Sequence, residues 1–453
     1  MHRLFVVALL ASCNEAPPKD IAERLADLPG VTVMEWTPPQ GFEPRPGYRY
    51  FDLHFTQPID HDNPSAGTFE QYVTLMHVDP ERPLVAYTGG YGASWRRSLT
   101  EVGTVLQANQ ISVEYRFYAT SRPESPDWSK LTVRQNADDE HHIYELLGEI
   151  YEGAKIQTGG SKGGENSMFH MMLYPDDVDG VVAYVAPVIT DFPDLRYATV
   201  LDDVGIDACT AALRAVQREL LVRRQTMEMR AAAEADYMIA GVSHAYETAV
   251  VELEFSFWMT RGEPDCPMVP LPTATDDELY TFLTDTGGPA AYGDADLLSY
   301  GQQYLYQDHL ELGYPVWQHA HLDDLLLYSY EDWSAYLPAP RPAYDPTLAR
   351  ELAAWLARGP DHLIFIGGEW DPWGPGYPVI ASDADTLVFS VAHGSHWSSG
   401  LYSVTESERA AALAALSEWT GVSDVISPRI APPAPMGSRG PEVYRPSRSV
   451  VGE

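Results

Sequence analysis

Apolar residues in this chain gather in short runs of four to six positions, and between the runs they recur at helical spacing. The runs at 83–87, 155–158, 181–185, 362–366 and 386–391 read as buried strands. Residues 131–147, 161–173 and 406–419 read as helices, and the second stops at Tyr174-Pro175, where the proline ring blocks continuation. Such alternation builds a sheet covered by helices. Residues 195–335 break the rhythm. There 211–233 is long, helical and rich in Arg and Glu, 244–258 is an apolar-striped helix, and 297–312 and 321–337 are helical again. The pattern divides the chain into an α/β part at 48–194, a helical block at 195–338, a second α/β part at 339–422 and a Pro/Ser/Arg-rich tail at 423–453.

Chemistry concentrates where the run 155–158 meets the helix 161–173. The junction reads Gly159-Gly160-Ser161-Lys162-Gly163-Gly164, and a further strand follows. Strand, Gly-x-Ser-x-Gly, helix and strand is the setting in which a serine is lifted on a sharp turn above a sheet. Ser161 is the expected nucleophile. A serine hydroxyl is weak at neutral pH, so it needs a base in reach and an anion to fix that base's tautomer. On an α/β-hydrolase sheet these follow in chain order: serine, acid, histidine. Asp371, in Gly367-Gly368-Glu369-Trp370-Asp371-Pro372-Trp373 just past the strand 362–366, is the expected acid, with Glu369 the competitor. His396, in Ala392-His393-Gly394-Ser395-His396 past the strand 386–391, is the expected base. Gly394-Ser395 gives the loop room to reach the elbow, and His393 reads as a solvated loop histidine. The oxyanion needs preorganised donors. The backbone N–H of Lys162 is one, and that of Tyr91 or Gly92 in Thr88-Gly89-Gly90-Tyr91-Gly92, after the strand 83–87, is the other. The expected fold is an α/β-hydrolase sheet with the helical block inserted as a cap.

Composition narrows the partners. With 29 basic against 65 acidic residues the net charge is −36, which would repel a phosphate backbone, so no nucleic-acid partner is expected. Met1-His2-Arg3, an apolar stretch at 4–10 and Leu10-Ala11-Ser12-Cys13 form a signal peptide at 1–13 whose ending resembles a bacterial lipobox. The apolar stretch is too short to span a bilayer. Lipidation of Cys13, a tether and N-terminal segment at 14–47, and a place in the cell envelope are expected, with the membrane met only through that anchor; ordinary secretion, with Cys13 incidental, is the alternative. Cys209 and Cys266 remain, without a Cys/His cluster, so neither a metal nor a cofactor is expected. In an oxidising compartment the two can pair.

Several separate stretches resemble one family. Gly159-Gly160-Ser161-Lys162-Gly163-Gly164 is followed by Tyr174-Pro175-Asp176-Asp177-Val178-Asp179-Gly180. With Phe55-Thr56-Gln57-Pro58-Ile59-Asp60-His61, Ser112-Val113-Glu114-Tyr115-Arg116-Phe117-Tyr118, Glu369-Trp370-Asp371-Pro372-Trp373 and Gly394-Ser395-His396, it resembles the secreted tripeptidyl-aminopeptidase family of actinobacterial serine peptidases. Those enzymes are related to lysosomal Pro-X carboxypeptidases and dipeptidyl peptidases. The resemblance spans about residues 48–420. It implies a Ser161/Asp371/His396 triad and exopeptidase activity on free peptide N-termini. Glu165 departs from it, standing where an apolar residue is expected.

An exopeptidase of this kind must receive an α-ammonium near the scissile bond. Glu252, Glu254, Asp308 and Glu311 lie on the expected cap helices and are candidates, although Glu252 and Glu254, two apart, cannot share a face. Phe255, Phe257, Trp258, Tyr304 and Tyr306 are aromatic neighbours for a pocket, with core packing the better assignment for most. A peptide substrate is the leading reading. A carboxylesterase or lipase on the same fold, and a binding lipoprotein without catalysis, are the alternatives.

Overall fold

The computed structural model describes residues 19–93, 97–329, 333–339, 341, 343–381 and 385–426. Cys13 and the tail from 427 onward lie outside them. Nine strands form one mixed sheet: β1 Val31–Glu35, β2 Arg49–Pro58, β3 Thr68–His77, β4 Leu84–Thr88, β5 Asn109–Val113, β6 Lys155–Gly160, β7 Gly180–Tyr184, β8 Leu363–Gly368 and β9 Thr386–Val391. Their spatial order is β1-β2-β3-β5-β4-β6-β7-β8-β9. The pairs β1–β2, β2–β3 and β3–β5 are antiparallel, and β5 through β9 run parallel.

The central strands are apolar on both faces, and their residues divide by parity. Leu84, Ala86, Val181, Ala183, Leu363 and Phe365 face one core, with the helices Val133–Gly148, Lys162–Leu173 and Thr347–Leu356. Val85, Val182, Ile364 and Ile366 face the other, with Glu101–Leu106 and Glu406–Thr420. The described part of the N-terminal segment begins at residue 19. Helix Ile21–Ala26, closed by an Asp20/Glu23 capping box, leads into β1, which adds to the free edge of β2. The strand before the glycine-rich turn is therefore the fourth in chain order.

Residues 185–362 leave the sheet after β7 and rejoin it at β8, and most of them pack a separate core of their own. The expected single helix at 211–233 is two, Asp207–Val222 and Arg224–Glu234. The break falls at Arg223, whose guanidinium donates to the carbonyls of Pro272 and Ala274 and to Asp276 and Glu219, tying the corner to the neighbouring segment. The expected helix at 321–337 is not formed. Only short 3₁₀ turns, Ala320–Leu322 and Trp333–Ala335, occur among its described residues. Residues 297–312 are helical, with wide π turns at both ends. Cys209 and Cys266 are joined by a disulfide, with Cα atoms 5.5 Å apart.

Candidate active site

Ser161 stands between β6 and the helix Lys162–Leu173 with φ 56° and ψ −130°, a conformation L-residues rarely adopt. Its N–H donates to the Tyr184 carbonyl of β7 at 2.9 Å, which fastens the turn to the sheet. The glycines around it are steric necessities. A Cβ on Gly159 would meet the Gly163 carbonyl carbon and Thr88 O at 2.4 Å, and one on Gly163 would meet Thr88 O at 2.1 Å. Helix and strands therefore close to backbone contact, and the serine is left at the carboxyl edge of the parallel strands.

Asp371 and His396 meet at that same edge, on the loops that leave β8 and β9. His396 Nδ1 lies 2.6 Å from Asp371 Oδ2. Trp373 N–H donates to Asp371 Oδ1 at 3.0 Å, and the Tyr377 hydroxyl donates to Oδ2. Three donors on a carboxylate that is 1% exposed hold it in one orientation. The two loops are locked together, since Trp370 N–H donates to Gly394 O at 2.9 Å. The competitors point elsewhere. Glu369 accepts from the His393 N–H, and the His393 ring is exposed, stacked on Trp370 at 3.9 Å between centroids and 3.5 Å from Glu263.

The glycine-rich turn after β4 lies against the elbow. Gly90 has φ +73°, and a Cβ there would meet Lys162 Cγ at 2.9 Å and Gly163 N at 3.0 Å. Tyr91 and Gly92 follow directly, with the Tyr91 carbonyl accepting from Tyr115 N–H at 2.8 Å. Lys162 and Gly163, the first two residues of the helix, have no carbonyl four residues back inside it, so their N–H groups are open to a ligand at this end.

The four cap carboxylates separate into two pairs. Glu254 is 1% exposed and bonded through Oε2 to Arg214 Nε at 3.0 Å, so its charge is already answered inside the cap. Glu252 accepts from the Tyr314 hydroxyl at 3.2 Å and interacts with Tyr292, away from Glu254. Asp308 and Glu311 come down on the elbow instead. Both feel the Lys162 ammonium, and Asp308 also feels Glu165. Burial pushes the Asp308 carboxyl well above its ordinary range, Glu311 to about 7 and Glu165 to about 8. Glu311 accepts from Val133 N–H at 2.7 Å and from Gln307. Asp308 Oδ2 is buried with no hydrogen-bond partner.

Aromatic rings enclose this acidic pocket. Tyr91 lies 4.7 Å from Tyr300 and 5.9 Å from Tyr304, between centroids. Tyr300 is 36% exposed. Phe255, Phe257 and Trp258 are buried in the cap core and Tyr306 packs on Trp128, which leaves Tyr304 alone of the expected aromatics beside the elbow turn. Sequence reasoning missed Tyr300 and Tyr377, which carry no local signal. Glu165 announced itself only as a charge in an apolar slot.

A strained serine elbow and an aspartate–histidine pair at the carboxyl edge of an α/β-hydrolase sheet define a serine hydrolase. The chain matches the profile of PS-10 peptidase S37 over residues 14–435. It is 36% identical over 426 residues to the prolyl tri/tetrapeptidyl aminopeptidase of Streptomyces mobaraensis, covering 91% of this chain and 87% of that protein. Mouse lysosomal Pro-X carboxypeptidase is 29% identical over 166 residues, 32% of this chain and 34% of that one. Among solved structures, a Mycobacterium smegmatis proline iminopeptidase aligns over 81% of this chain and 98% of its own, at 16% identity and a TM-score of 0.41. The chain belongs to the S37 peptidase family and is a serine peptidase.

Proposed function

We propose that the protein removes short peptides from free N-termini, with a preference for proline at the scissile bond, through an acyl-enzyme on Ser161. His396 takes the serine proton, and Asp371 fixes its tautomer and stabilises the imidazolium. The N–H of Lys162 and that of Tyr91 or Gly92 receive the oxyanion. The observation that carries the exopeptidase reading is the buried Asp308 carboxylate, with one oxygen unpartnered, beside Glu165 and Glu311 and next to the elbow. Lys162 is one cation among these acids, and an incoming α-ammonium stabilises the buried negative charge beyond what it balances. The rings of Tyr91, Tyr300 and Tyr304, within 4.7 to 6.3 Å of one another, are the apolar surface nearest the elbow turn for a pyrrolidine. The prolyl specificity named for the Streptomyces relative supports the same substrate class.

The test is a matched pair of prolyl-chromogenic tripeptides, one with a free amine and one N-acetylated. An acetyl group leaves the carboxylate unpaired and crowds it, so kcat/KM is expected to fall by roughly 30- to 1000-fold, about 2–4 kcal/mol. Equal rates would overturn the reading. Residues 1–13 are read as a lipoprotein signal ending at an acylated Cys13, and the disulfide fits an oxidising compartment. Labelled fatty acid incorporated into the wild type and lost in Cys13→Ser would bear out the anchor.

A further inference from the structure

We propose that the Lys162 side chain is a positioning residue of the oxyanion site: its ammonium grips the Gly90 carbonyl and so aims the Tyr91 N–H. The inference rests on the assignment of Ser161 and the turn after β4 given above. It gives Lys162 two separable contributions, one through its main chain and one through its side chain.

The geometry is specific. Lys162 Nζ donates to Gly90 O at 2.9 Å, and the residue is 3% exposed. The peptide joining Gly90 to Tyr91 is trans, the only cis bond among the described residues being Phe192-Pro193. In a trans peptide the C=O and the N–H lie in one plane and point to opposite sides of the chain. Fixing the Gly90 carbonyl therefore fixes the Tyr91 N–H. Tyr115 N–H holds the Tyr91 carbonyl at 2.8 Å, so the peptides on both sides of Tyr91 are pinned. The turn runs close to the elbow helix, since even a Cβ on Gly90 would collide with Lys162 and Gly163. A cation on the carbonyl also draws charge through the amide and makes its N–H a stronger donor.

The surroundings are built to keep a charge where packing alone would take a methionine. The ammonium lies 3.6 Å from the Tyr115 ring centroid, with Tyr91 and Tyr118 at 5.5 and 5.8 Å. Ring faces stabilise a desolvated cation without competing for its hydrogen bond to Gly90. Glu165, Asp308, Glu311 and Glu140 supply the balancing field and oppose the pull of burial on the amine. Filling space needs none of these. Orienting a carbonyl with a charge needs all of them.

The experiment compares Lys162→Met, Lys162→Gln and Lys162→Arg in the full chain. Each keeps the main-chain N–H of residue 162. Three quantities are read: kcat and KM on a free-amine prolyl-chromogenic tripeptide, the affinity of a peptide boronic acid whose tetrahedral adduct places an oxygen in the oxyanion site, and the affinity of the product peptide. Loss of one aimed oxyanion donor costs about 100- to 1000-fold in kcat. Lys162→Met is expected to lose at least about 100-fold in kcat and a parallel factor in boronate affinity, with KM and product affinity within about threefold. Arg, which still presents a charged donor to Gly90 O, should recover most of it, and Gln less. A Met variant with kcat within threefold of wild type, an unchanged boronate affinity, or an Arg variant no better than Met would each overturn the proposal. If the Met variant shows no thermal transition, Arg against Gln is read by the same criteria. Fluorophosphonate labelling of wild-type Ser161 is the separate control: its failure would remove the triad reading, and with it the ground for this one.

Discussion

The Asp371 carboxylate accepts from His396, Trp373 and Tyr377 and is almost wholly buried, so its task is orientation. Asp371→Asn would present the wrong tautomer to the base, and kcat should fall by about 10⁴ with the fold intact. Ser161→Ala should abolish turnover and fluorophosphonate labelling. His393→Ala, on an exposed ring stacked on Trp370, should stay near wild type. Steady-state kinetics on the variants check all three, and an inactive His393→Ala beside an active His396→Ala would reverse the loop assignment. The pH profile belongs to the same scale. Glu311 and Glu165, raised to about 7 and 8, are neutral in acid and gain charge as pH rises through those values, with Lys162, drawn down to about 8, between them. For a free-amine peptide kcat/KM should therefore climb through pH 7 to 8, then fall as the Lys162 ammonium and the substrate amine, whose pKa is about 8, lose their protons. A small ester without an amine should show its acid limb at lower pH, and coincident limbs for the two substrates would contradict the amine site. The serine was legible in sequence because backbone contact at Gly159 and Gly163 forces a glycine pattern. His396 was legible because two small residues precede it. Tyr377 was not, since nothing in its neighbourhood marks a hydroxyl that will turn back six residues to Asp371.

At the level of elements, the strands and the elbow helix follow from local pattern, because a buried parallel strand must be apolar whatever packs on it. The cap was harder to read. Propensity carries a helix straight through 211–233, but the Arg223 guanidinium gains two carbonyls and two carboxylates by breaking it, a gain no local window contains. At 321–337 the aromatic stripe looks helical, yet Trp333 and Tyr336 pack into a cluster with Tyr292 and Tyr314 that needs no helix. The disulfide bears on this half of the molecule. Cys209 and Cys266 are 57 residues apart, and closing a loop of that length should stabilise the cap by roughly 4 kcal/mol on chain-entropy grounds. A Cys209→Ser/Cys266→Ser double variant should lower the calorimetric transition of the cap by several degrees. Cys266 lies within the 3₁₀ segment Glu263–Met268, whose first residue approaches His393, so turnover should become more temperature-sensitive as well.

Across the whole molecule, the cap is held at both ends of the catalytic edge. Trp373 Nε1 donates to Met259 Sδ on one side, and Gln303 and Gln307 donate to Phe117 O and the Tyr115 hydroxyl on the other. The insertion also orders events in time. β7 and β8 are neighbours in the sheet, yet the whole cap is threaded between them, and both the acid and the base come after it. Ser161 leaves the ribosome 235 residues before His396 (396 − 161), on the order of ten to fifty seconds at roughly 5–20 residues per second. Throughout that interval the serine is an ordinary alcohol. No working peptidase therefore exists until the last sheet strand has docked and brought the base to the serine.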